Sequence, residues 1–172
     1  MVNFMKLNKV NDNILYIGID PGIHGAVAVM YNGSLLAAFD SPIHRHVGKQ
    51  ERIDGNKLTE ILINQKVLTG ADSVVVWIER VHSMPKQGVA SSFNFGLVFG
   101  QVIGVCEALG WTVNLVEPQA WKKKFGLIGT PKDTCRQLVK RMVADGQQEW
   151  FKFKKNVDRA DAVLIAYYGA VK

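Results

Sequence analysis

Ile14-Leu15-Tyr16-Ile17-Gly18-Ile19-Asp20-Pro21-Gly22 is the stretch that decides the fold. It is an apolar run rich in strand formers, it ends on a carboxylate, and a Pro-Gly turn closes it. Residues 26–30 and 35–39 read as two further strands. Asn32-Gly33 lies between them, and both residues tolerate the positive φ angles of a tight hairpin. The N-terminal region is therefore expected to be an antiparallel meander. Residues 41–52 read as an irregular polar loop. Leu58, Ile61, Leu62 and Gln65 then recur at helical spacing, which predicts a helix over 54–68 with Asp54 near its cap. Residues 73–78 form a continuous β-branched run, the pattern of a central strand buried on both faces. Glu79 follows that run directly.

Residues 82–92 carry Pro, Gly, Ser and Lys and read as an exposed loop. A helix is predicted over 93–109, ended by Gly110, and a strand over 111–116, ended by Glu117-Pro118. Thr130-Pro131 should open a helix running to about residue 145, with Thr130 as cap and Pro131 in the first helical position. Residues 146–156 are polar, aromatic and basic, and 157–171 form the last helix. The order βββαβαβαα, without repeat or linker, predicts one mixed α/β domain over residues 1–172.

Composition narrows the function. With 48% hydrophobic and 21% charged residues the chain is not a disordered one. No apolar run reaches the roughly 18 residues that span a bilayer, and residues 1–13 carry no signal core, so no membrane partner is expected. Cys106 and Cys135 are too few for a disulfide framework and lack metal-ligand spacing, which fits a reducing, cytoplasmic setting. The net charge of +6 is concentrated in one stretch. Residues 121–159 hold 11 Lys/Arg against 4 Asp/Glu, while the rest of the chain holds 10 against 11. Such one-sided charge suits a polyanion-binding surface, or simply a solvated basic face.

Four carboxylates stand out. Asp20 and Glu79 each end an apolar strand. Asp158 and Asp161, in Asp158-Arg159-Ala160-Asp161-Ala162, are three apart and share a helix face. Singly, each has an ordinary explanation: a turn residue after a strand, or, for Asp158, an acid complementing the helix dipole. Asp161 escapes that explanation, because it sits within the apolar face of the last helix. A carboxylate there costs free energy unless it is paired or holds a cation. Together the four make an oxygen-ligand set suited to Mg2+ or Mn2+. A pair of such ions about 3.5–4 Å apart can activate water and stabilise the leaving oxygen of a phosphodiester.

The motif order now resembles a known family. Ile-Gly-Ile-Asp-Pro-Gly at 17–22, the acid at 79, and Asp-x-x-Asp-Ala at 158–162 are similar to the RuvC-type Holliday-junction resolvases of the RNase H-like superfamily. Gly100-Gln101-Val102-Ile103-Gly104-Val105 looks like that family's second helix. Glu117-Pro118-Gln119-Ala120-Trp121-Lys122 and Gly129-Thr130-Pro131-Lys132 look like the stretch before its next long helix. The resemblance runs in order from about residue 14 to 169. It implies an RNase H-like fold with a five-stranded mixed sheet and flanking helices. It implies a homodimer that nicks two opposed strands of a four-way DNA junction, using divalent metal and leaving ligatable 5′-phosphate ends, with no small-molecule cofactor. Asp20, Glu79, Asp158 and Asp161 fall on the catalytic carboxylate positions, and Lys122 and Lys132 near basic positions that contact DNA. The family often has a base-stacking aromatic three residues after the central acid; here that position is His82, so the role either passes to His82, Met84 or Phe93 or is absent. The longer segment before the last acids is reminiscent of phage-borne members, which would work in a host cytoplasm.

Further DNA contacts are expected from Lys123 and Lys124 beside Lys122, and from Trp150, Lys152, Lys154 and Lys155, where aromatic and basic residues alternate. The plain alternative for that segment is an apolar patch under a basic rim. Gly96, Gly100 and Gly104 share one face of the 93–109 helix, which predicts close packing, either on the protein's own sheet or in a dimer. Both cysteines are expected to be chemically idle. Sugar kinases and actin-like ATPases also open with a strand, an Asp and a Gly-rich turn, but they need two such domains. A catalytically idle junction binder would be expected to have lost an acid. An RNase H-like nuclease acting on flaps, other branched DNA or RNA stays open.

Overall fold

The computed structural model describes residues 13–44, 51–83 and 88–172. Five strands make the main sheet: β1 (Ile14–Asp20), β2 (Ala26–Tyr31), β3 (Ser34–Asp40), β6 (Ser73–Glu79) and β7 (Thr112–Val116). Their order is β3-β2-β1-β6-β7. The first three run antiparallel as a meander, while β6 lies parallel to β1 and β7 parallel to β6. Asn32 and Gly33 take φ 49° and 73° in the β2–β3 turn, as the hairpin reading requires. The 41–52 region contains a small antiparallel pair, β4 (Ile43–His44) and β5 (Arg52–Ile53), which its short strands hid from the sequence.

Alternation along β1 sorts the core into two layers. Leu15, Ile17 and Ile19 face α1 (Gly55–Thr69) and α2 (Val89–Ala108), which contribute Leu58, Leu62, Val98 and Val102. The opposite face is covered by α3 (Pro118–Lys124), α4 (Thr134–Met142) and α5 (Val157–Ala170), with Trp121, Val139, Phe151 and Leu164 in its core. Helix α5 lies on β1 as closely as backbones allow. A Cβ at Gly18 would stand 2.2 Å from the Ala162 carbonyl oxygen, and Ala160, Ala162 and Ala166 are wholly buried. That approach brings the first turn of α5 to the ends of the central strands.

Several boundaries differ from expectation. Helix α1 begins where predicted: the Asp54 carboxylate accepts the Lys57 N–H at 2.9 Å, and Gly70 closes the helix at φ 63°. Helix α2 starts four residues early, at Val89, its first turn closed by Ser92 N–H on the Gly88 carbonyl. Glu117-Pro118 ends β7 but also starts α3, since proline is well placed at a first helical position. Helix α4 begins at Thr134, not at Thr130. The Thr130 hydroxyl instead bonds the Leu127 carbonyl at 2.9 Å, beside the left-handed Gly129. Residues Asp145–Phe151 and Lys154–Asn156 form two 3-10 turns.

Helix α2 bears on the membrane reading without deciding it. By length and composition it could cross a bilayer, with mean hydropathy 1.6. Its inner side packs on the sheet through Val98, Val102 and Cys106, while Val89, Phe93 and Leu97 are exposed. A Cβ at Gly96, Gly100 or Gly104 would meet nothing within 4 Å, so these glycines do not serve packing on the protein's own sheet.

Candidate active site

The β1–β6 register sets Ile19 opposite Ile78, so Asp20 and Glu79 end neighbouring parallel strands at the same end of the sheet. Helix α5 delivers Asp158 and Asp161 to the same place. One carboxylate oxygen from each of Asp20, Asp158 and Asp161 lies within 4.8 Å of the others. Glu79 stands beside them, and its Oε2 accepts the indole N–H of Trp121 at 2.6 Å. That bond leaves the other Glu79 oxygen free of the indole.

The cluster is short of positive charge. Burial, then the charges of Glu79, Asp161 and Asp158, push the Asp20 carboxyl up to about 8, with only Lys132 opposing. Asp161 is pushed up to about 6, chiefly by burial; the Cys135 hydrogen bond and Lys122 act against the rise. Glu79 is also held above its usual value by burial, opposed by the Trp121 bond and by Lys122 and Lys132. Carboxylates gathered at this cost call for a cation. The donor set is hard oxygen. The sulfur of Cys135, beside Asp161, is held well above the usual thiol range by burial and stays protonated. The residues therefore fit Mg2+ or Mn2+ and not a thiolate-bound metal.

Two of the basic candidates flank the acids. Lys132 Nζ lies 3.3 Å from Asp158 Oδ1, and Lys122 Nζ sits 5.1 Å from the Trp121 ring centroid. A cleft of about 310 Å³ opens there, lined by Trp121, Lys122, Thr130, Lys132, Cys135 and Asp161. Lys123 and Lys124 are exposed at the end of α3. In the aromatic segment Trp150 is half-buried against the core and Phe151 wholly buried. Phe153 is exposed, with Lys155 5.9 Å from its ring. Lys152 pairs with Glu149 and Lys154 is exposed. His82 Nε2 lies 3.0 Å from Glu117 Oε2, and Arg80 reaches the other Glu117 oxygen at 3.3 Å. Phe93 is exposed on α2, and Met84 lies outside the described residues.

Sequence reasoning missed three participants. Trp121 was read only as part of a motif, because 42 residues separate it from Glu79. Cys135 was taken as a chemically idle helix residue, and its place beside Asp161, with its thiol on the Lys132 carbonyl at 3.1 Å, was not foreseen. Arg159 stood unremarked between the two aspartates, and its partner Asp40 is 119 residues away. No local periodicity encodes any of these contacts.

A mixed five-stranded sheet with flanking helices, the meander first and acids gathered at the strand ends, is an RNase H-like fold. Solved structures narrow the fold to that of RuvC. The chain superposes on Thermus thermophilus RuvC with a TM-score of 0.58 at 17% identity, covering 90% of this chain and 95% of that one. For T. thermophilus RuvC in complex with a Holliday junction substrate the TM-score is 0.54 at 15% identity, covering 89% and 90%. For the yeast mitochondrial Holliday junction resolvase Ydc2 it is 0.51 at 16%, covering 90% and 76%. In sequence, 90 residues (52% of this chain) are 30% identical to the chloroplastic Holliday junction resolvase MOC1 of Chlamydomonas reinhardtii; the match spans 10% of that relative's length. No protein-family model matches the chain.

Proposed function

We propose that this chain is a structure-selective DNA endonuclease that depends on divalent metal and resolves four-way junctions by paired nicking as a homodimer. The observation that carries the proposal is the convergence of Asp20, Asp158 and Asp161 beside Glu79, on the RuvC fold. Asp20, Glu79, Asp158 and Asp161 would hold Mg2+ or Mn2+, two ions per site. Ions held there would supply Lewis-acid activation of water and neutralise charge at the leaving oxygen.

The chain's own residues do the rest. The Trp121 indole N–H fixes the rotamer of Glu79. Lys122 and Lys132, at the rim of the cleft, meet phosphate oxygens. Lys132 must then exchange Asp158 for the backbone of the substrate, which a mostly exposed pair allows. Exposed Lys123, Lys124, Lys154 and Lys155 extend the track for the arms, and Phe153 offers a face for stacking. The dimer would use α2, whose Gly96-Gly100-Gly104 line and exposed Phe93 and Leu97 form an uncovered apolar stripe. A C2 pair matches a substrate with two equivalent cutting points. Such an enzyme would work in the cytoplasm, where Cys106 and Cys135 remain thiols.

Matched four-way junction, flap, duplex and RNA–DNA hybrid substrates, incubated with the protein in Mg2+ or Mn2+, test the reading. Paired, symmetric nicks confined to the junction support it. Equal or faster cutting of flaps or hybrid would make the protein a sibling nuclease instead, and no cutting of any substrate would leave it a binding module.

A further inference from the structure

The start of α5 carries two of the four acids, Asp158 in its first turn and Asp161 just beyond it. Its N-cap residue, Asn156, makes no side-chain cap bond; Asn156 Oδ1 accepts the Phe153 N–H instead, at 3.0 Å. Outside the helix, Lys132 reaches Asp158 at 3.3 Å, and Arg159 makes the further link.

Arg159 lies between the two aspartates and points away from them. Its guanidinium grips Asp40 with two parallel bonds, Nε to Oδ1 at 2.5 Å and Nη2 to Oδ2 at 2.8 Å. Its third nitrogen reaches the Trp150 carbonyl at 3.4 Å. Asp40 is the last residue of β3, and it pairs with Ala26, which pairs in turn with Asp20. The Ser41 N–H on the Gly25 carbonyl, at 2.8 Å, fixes the strand just beyond. Asp20, Ala26 and Asp40 thus form one rung across three strands, and Arg159 bolts the first turn of α5 to its outer end.

We infer that the Arg159–Asp40 pair is a positioning device, setting Asp158 and Asp161 against Asp20 at the spacing that binds the catalytic metal. The inference rests on the metal-dependent reading above. Its chemistry is specific: a planar fork meeting a carboxylate in two bonds fixes direction as well as distance, which a lysine does not. Because the Asp40 side chain is 67% exposed, the pair adds little to global stability. Its effect falls on the geometry of the acids.

Mn2+ binding to the DNA-free protein, read from the electron paramagnetic resonance of the free ion, is the primary test. Cleavage kcat at saturating junction, junction affinity in Ca2+ and the thermal midpoint are measured beside it. Asp40→Ala is expected to weaken Mn2+ by about tenfold, the scale of lost partners around metal ligands. It should lower kcat to a similar extent and leave the thermal midpoint and junction affinity nearly unchanged. Asp40→Glu, which keeps a carboxylate, should recover most of the Mn2+ affinity, and Arg159→Lys should not. Unchanged Mn2+ affinity in Asp40→Ala, with junction affinity altered, would overturn the inference and make Arg159 a DNA contact held in reserve. Failure of Asp40→Glu to recover would equally overturn it. A wild-type protein that binds no Mn2+ would instead bring down the metal-dependent reading itself.

Discussion

Asp20→Asn should make the metal-free protein more stable, by an amount that grows with pH. In the unfolded chain Asp20 ionises near its ordinary 3.8, but in the folded state burial and three neighbouring acids push it up to about 8. Between those values the folded protein binds more protons than the unfolded one, so its stability falls as pH rises. Asparagine cannot ionise, and so escapes the loss. One pH unit is worth about 1.4 kcal/mol, which makes the gap at pH 7 about 4 kcal/mol for an isolated group. Solvent reaches the half-buried Asp20 and the cluster shares its protons, which reduces the gap to about 2–3 kcal/mol. With a urea slope of about 2 kcal/mol per molar, the midpoints should separate by about 1 M. Urea unfolding in EDTA at pH 4, 5, 6, 7 and 8 reads this directly: near-coincident curves at pH 4, with the variant progressively ahead above it. Adding Mg2+ at pH 8 should raise the wild type and leave the variant little changed. A gap that does not vary with pH, or a variant less stable at pH 8, would refute the idea that uncompensated negative charge dominates this site.

On the proposed reading the same acids carry the chemistry: Asp20→Asn, Glu79→Gln and Asp161→Asn should each abolish cleavage while junction affinity in Ca2+ stays within a few-fold; Asp158→Asn, at the more open helix start, should keep more activity. Replacing Lys122, Lys123 and Lys124 together with Ala should flatten the slope of log affinity against log salt by about 2–3 units, at about 0.9 per phosphate contact; an unchanged slope places the DNA elsewhere. Gly100→Leu should split the proposed dimer in sedimentation yet leave the fold intact, because its Cβ meets open space within one chain and leucine favours helix by nearly 1 kcal/mol. His82→Ala should lower the rise of 2-aminopurine fluorescence at the junction exchange point if His82 leaves Glu117 to enter it; a full signal that is lost on changing Trp150 would assign entry to the other segment.

How much of this could be read from sequence depends on how local the physics was. The β1 and β6 runs, the Asn32-Gly33 hairpin and the Asp54 cap are settled by neighbours within a few residues, and the structure matches them. The convergence of the acids was legible for a related reason. Asp161 on an apolar helix face is a local contradiction that only a partner can relieve. Where two local signals competed, the reading failed. Pro118 could end a strand or begin a helix and does both, and Gly129 drew Thr130 into a turn that displaced the start of α4. The supporting contacts lay beyond reach altogether. Trp121 on Glu79, Cys135 beside Asp161 and Arg159 on Asp40 exist only because the sheet, α3, α4 and α5 pack as they do.

Those supports make the site intelligible as a balance. The sheet and the small residues of α5 force four acids together, at the expense of their ionisation. Among the described residues their charge is offset only in part. Lys132 pairs with Asp158 at 3.3 Å and Lys122 lies at the rim, while Arg159, the cation closest in sequence to both aspartates, is turned outward to Asp40. An inward arginine would have satisfied the cluster and occupied the place of a metal. Turned outward, it holds the helix down without discharging the acids, so the negative potential stays available to divalent cations. Stability and the proposed function thus pull in opposite directions at Asp20, and the inferred part of Arg159 is to hold the acids in place without cancelling their charge.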